Sequence, residues 1–89
     1  MQFKYIPKRW NGQPVVSFVT IDPKPGEVPY AGIALLQSNP ATFTVIRLNA
    51  DSMDPDARWE GVNGEYSLDW TKARLAFVRR VTEAFRTTD

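Results

Sequence analysis

Apolar residues fall in four strand-like stretches through the first half of the chain. Near its end they recur at spacings of three, four and seven, so the pattern predicts a strand-rich half followed by one helix. Asn11 and Gly12 separate the first two strand-like segments, and both central positions of a type I′ turn need the positive φ that Asn and Gly tolerate. A hairpin with arms at about 3–10 and 15–21 is expected there. Pro7 has no amide hydrogen for a ladder, which pushes the first arm to a sheet edge. Val15, Val16, Phe18, Val19 and Ile21 make the second arm apolar on both faces, as in a central strand.

Pro23, Pro25, Gly26 and Pro29 mark residues 22–29 as a loop. The run 30–37, with Ile33, Ala34, Leu35 and Leu36, suits either a buried strand or two turns of helix. Strand is preferred, because Ser38, Asn39 and Pro40 form a turn signal leading into 42–48, where Thr, Phe, Val and Ile dominate. Residues 49–66 read as a long acidic loop with Pro55, Gly61 and a second Asn-Gly at Asn63 and Gly64, with a minor hairpin across 59–66 as the alternative. Ser67 is placed to cap a helix over about 68–86, with Asp69 in the first turn facing the positive end of its dipole. Trp70, Phe77, Val78, Val81, Ala84 and Phe85 supply its apolar side, and Lys72, Ala76, Arg79, Glu83 and Arg86 the opposite one. The sum is a small single α+β domain over 1–89: an antiparallel sheet of about four strands in two hairpins, with the amphipathic helix packed on one face. Nothing obvious covers the other face, which then meets water, works as a binding surface or pairs with a second copy. A homodimer through that face or a sheet edge is consistent with the pattern.

Composition narrows the chemistry. The 89 residues include no histidine and no cysteine, so the usual side chains that titrate near neutral pH, act as thiol nucleophiles or build zinc sites are missing. No cofactor and no metal are expected, and the reading is non-enzymatic. No apolar run approaches the length of a bilayer span, and the first residues lack the features of a signal peptide, so no membrane association and a cytoplasmic location are expected.

The net charge of +1 conceals an uneven distribution. Lys4, Lys8, Arg9, Lys24 and Arg47 outweigh Asp22 and Glu27 by +3 over residues 1–50. Asp51, Asp54, Asp56, Glu60 and Glu65 against Arg58 give −4 over residues 51–66, and the remainder carries +2. Oppositely charged patches favour oriented encounter with a charged partner. The acidic group has oxygen ligands dense enough for calcium or magnesium, but its spacing does not match an EF-hand loop, and a solvated loop or a lure for a basic partner fits it better. Asp54, Asp56, Glu60 and Glu65 are also the only candidates for carboxylate catalysis, which requires burial in a pocket that so short a chain seldom builds.

Trp, Tyr and Arg supply most binding hot spots, and Arg9 with Trp10 and Arg58 with Trp59 set two such pairs on predicted turns. Arg9, Trp10, Asp54, Asp56, Arg58, Trp59 and Glu60 are therefore the expected partner-binding residues. The function expected is a protein-binding module, a small modulator or inhibitor of a larger assembly of the kind that phages and mobile elements direct at host machinery. The alternative is a nucleic-acid-binding module in which Lys4, Lys8, Arg9 and Arg47 neutralise phosphates beside aromatic rings.

Overall fold

The computed structural model describes residues 7–23, 26, 28–52 and 57–86. They form an antiparallel meander of five strands in the order β1 (Arg9–Trp10), β2 (Gln13–Ile21), β3 (Tyr30–Asn39), β4 (Thr42–Ala50) and β5 (Glu60–Leu68), followed by helix α1 (Trp70–Arg86). The α+β class, both hairpins and the terminal helix agree with the sequence pattern; the strand count rises from about four to five. Asn11 and Gly12 adopt φ of 51° and 76°, the paired left-handed geometry of the type I′ turn. Residues 3–6 of the expected first arm lie outside the described residues, and only Arg9–Trp10 of the remainder is strand. The second hairpin closes through Asn39, whose Oδ1 accepts from the amides of Ala41 and Thr42 at 2.9 and 3.0 Å.

The fifth strand overturns the reading of 49–66 as loop throughout. β5 pairs with β4 and makes no hairpin of its own. Its register slips twice, since Phe43, Val45 and Arg47 oppose Leu68, Glu65 and Val62, so each pair of steps on β4 spans three on β5. The extra residues sit at Asn63 and Ser67, with φ of 55° and 58°. Asn63-Gly64 is thus part of a bulge rather than a hairpin turn.

β3 is the centre of the molecule, with Ala31 to Leu36 buried on both faces. On one face Ile21, Ala31, Ile33, Leu35, Phe43 and Val45 pack against Ala73 and Ala76 of α1, flanked by Leu68, Phe77, Val81 and Ala84. The helix therefore turns its alanines inward. Ala76, expected on the outer side, is buried, while Trp70, Val78 and Phe85, expected to face the sheet, are exposed. Two small residues in succession let the helix axis approach the sheet closely, which larger side chains at those positions would prevent. The cap also differs from expectation: Asp69, not Ser67, receives the Lys72 amide on Oδ1 at 2.8 Å.

The second face, which the sequence left uncovered, carries a cluster of its own. Ala34, Leu36, Ile46, Leu48, Ala50 and Trp59 are buried there, with Trp10, Val15, Phe18 and Tyr30 packed against them. Glycines seat the rings: a Cβ on Gly32 would fall 2.3 Å from Phe18 Cζ, and one on Gly61 2.7 Å from Trp10 Cη2. Phe18 meets Trp59 edge to face with centroids 5.5 Å apart.

Candidate functional site

The two Arg-Trp pairs converge. The β1–β2 hairpin carries Lys8, Arg9 and Trp10, and residues 57–59 run into β5 beside it. Trp10 Nε1 donates to the Trp59 carbonyl at 2.7 Å, tying together segments 49 residues apart in sequence. Trp59 is only 8% exposed, its ring committed to the second core, and Trp10 is half-buried over Gly61. The tryptophans thus act as a floor, and the adjoining cations are what faces solvent. A cleft of about 480 Å³ lies here, walled by Pro7, Lys8, Arg9 and Asn11 from the hairpin, by Ala57 and Arg58 from the returning chain, and by Trp10 and Trp59.

Lys8, Arg9 and Arg58 are all exposed, and no carboxylate is among the described residues lining this cleft. Three neighbouring cations with no carboxylate among the described residues lining their cleft favour an anionic group from outside. Arginine adds the option of a bidentate grip on a carboxylate or phosphate. Arg9 keeps one nitrogen on its own turn, donating from Nη2 to the Gly12 carbonyl at 2.8 Å, which fixes where the guanidinium stands. Glu60, also expected at the site, lines a smaller adjoining hollow of about 80 Å³ together with Asp51 and Arg58. Lys4, Asp54 and Asp56 lie outside the described residues.

Arg47 does not join this group. It shares the helix-side face of β4 and donates from Nε to Asn49 Oδ1 at 3.0 Å. It lines a second cleft, of about 440 Å³, with Ile21, Ile33, Arg79, Arg80 and Glu83. The phosphate-binding set proposed from sequence is therefore divided between opposite faces of the sheet. In this second cleft charge is largely balanced internally, because Glu65 Oε2 accepts from Arg79 Nη2 and from Arg80 Nε, each at 2.7 Å. The Arg79 hydrogen bond holds the Glu65 carboxyl below its ordinary value of 4.5; burial opposes this, and the hydrogen bond and charge of Arg80 reinforce it. Glu65, singled out from sequence only as a carboxylate for catalysis, is thus the anchor that fastens α1 to β5.

Among the described residues no group of three or more carboxylates is arranged to hold a metal, and no helix is long and apolar enough to cross a membrane. The chain matches no protein-family model, and no curated protein or solved structure is significantly similar to it.

Proposed function

We propose that the chain is a non-enzymatic protein-binding module, a small cytoplasmic modulator of a larger assembly, that receives an acidic element of its partner in the cleft between Lys8, Arg9 and Arg58. The supporting observation is the union of both Arg-Trp pairs in one cleft whose described walls are cationic. A protein carboxylate is favoured over single-stranded nucleic acid because stacking on bases needs open ring faces, whereas Trp59 is buried and Trp10 lies against Gly61. The position of Arg47 on the other sheet face further shortens any track for a phosphate backbone.

The test is capture from the native host's lysate by tagged protein and by the double variant Arg9→Ala/Arg58→Ala, with and without nuclease. Both side chains are exposed, so the variant should keep the parent's melting temperature. A stoichiometric protein partner that survives nuclease and is lost from the variant is the expected result. Capture unchanged in a folded variant, or recovery of nucleic acid alone, would overturn the reading.

A further inference from the structure

The outward side of α1 carries a pattern that packing against the sheet does not explain. Thr71, Leu75, Val78, Thr82 and Phe85 are all exposed and follow spacings of four, three, four and three, which is the alternation of the a and d positions of a heptad seam. Leu75 and Val78 are 67% and 61% exposed. Phe85 closes the C-terminal end of the stripe and also walls a cleft beside Tyr30. The inward-facing Ala73 and Arg80 occupy the f positions of the same repeat, so the seam points away from the core at Leu75 and Val78, while Phe85 at its end leans toward Ile21 and Tyr30. It runs about 21 Å along the helix and is one residue wide, dimensions that suit another helix.

Charge selects the occupant. The flanking e positions hold Lys72 and Arg79, and a flanking g position holds Arg74; all three are exposed, and no carboxylate occupies an e or g position beside them. Arg79 stays 54% exposed, but its ion pair with Glu65 draws its guanidinium toward β5, so Lys72 and Arg74, the latter over the Trp70 ring at 5.4 Å, are the cations left to the seam. Glu83, the nearby acid of the helix, is turned to the Arg47 cleft. Charges at e and g set partner choice in paired helices. A second copy of this chain would offer no carboxylate at its own e and g positions to meet Lys72 and Arg74, so the seam does not suit self-association.

We propose that the outer face of α1 docks an amphipathic helix of a partner protein that carries apolar residues along its own seam and Asp or Glu on both flanks. This rests on reading the chain as a protein-binding module but uses a face opposite the Lys8–Arg58 cleft. A synthetic acidic peptide of about three heptads, with Leu at a and d and Glu at e and g, is the probe; its control has Lys in place of every Glu. Fluorescence anisotropy gives affinity, and amide chemical shifts of the labelled protein give location. Expected are binding of the acidic peptide alone, shifts along Thr71–Phe85, a loss of about tenfold or more for Leu75→Glu/Val78→Glu, and a reversed peptide preference for Lys72→Glu/Arg74→Glu. Because these residues are exposed, the variants should melt with the parent. Equal binding of both peptides, absence of binding, shifts confined to the cleft, or a dimer of the parent chain that Leu75→Glu dissociates would each overturn the proposal, as would uptake on anionic vesicles by a chain that ignores the peptide. Arg9→Ala/Arg58→Ala should bind the peptide as the parent does, so failure of the cleft and failure of the seam are read separately.

Discussion

Replacing Gly32 by alanine probes how tightly the second core is seated. A Cβ there would stand 2.3 Å from Phe18 Cζ and 2.6 Å from Cε1, whereas carbon atoms settle at about 3.5–4.0 Å, so the ring must retreat by roughly 1 Å or more. Retreat is obstructed by Trp59, packed edge to face on Phe18 at 5.5 Å, and Trp59 in turn holds Trp10 through its carbonyl. Overpacking of this kind costs about 1–3 kcal/mol. The stiffer unfolded chain of alanine offsets about 0.4–1 kcal/mol, which leaves a net destabilisation of roughly 1–2 kcal/mol. At this chain length each kcal/mol lowers Tm by about 4–8 °C. Urea unfolding of the parent, Gly32→Ala, Phe18→Leu and the double variant measures the coupling. Phe18→Leu alone should cost about 1 kcal/mol, and with the ring gone the new methyl has room, so the double variant should fall short of additivity by about 1 kcal/mol or more. Parental stability in Gly32→Ala, or strict additivity in the double variant, would refute the seating of Phe18 over Gly32.

Two further outcomes follow from the helix and its anchor. Asp69→Ala removes the observed cap and should cost about 1 kcal/mol in urea unfolding, while Ser67→Gly, at a positive φ that glycine tolerates, should be neutral or slightly stabilising; the reverse order would return the cap to Ser67. The depressed pKa of Glu65 contributes stability that is fully present above its unfolded value of 4.5 and is lost as pH falls through the lower folded value, so Glu65→Gln should be less stable than the parent at neutral pH and converge with it in acid, as followed by Tm across pH.

The parts of this fold legible in the sequence are those decided by neighbours in the chain. Asn11-Gly12 and Ser38-Asn39-Pro40 identified both hairpins because the turn geometry resides in those residues themselves. β5 escaped because its two bulges break the alternation on which strand recognition depends, and an Asn-Gly inside a bulge looks like one inside a turn. The helix was evident from its period, but its rotation was not: weighting large apolar residues aimed Val78 and Phe85 at the sheet, whereas close approach selected Ala73 and Ala76. The Arg-Trp pairs were recognised singly, yet their union rests on one hydrogen bond between residues 10 and 59 that no local pattern encodes.

The two bulges also govern what the free side of β5 can accept. β5 ends the sheet, and a terminal strand is ordinarily a template on which another extended chain can build. Left-handed residues at Asn63 and Ser67 interrupt its row of amides and carbonyls, so an incoming segment finds only about three or four matched positions before the ladder falls out of phase. Growth of fibrils by strand upon strand is thereby discouraged through backbone shape, independently of salt or pH, and the irregularity that concealed this strand in the sequence also protects the folded chain from its own kind.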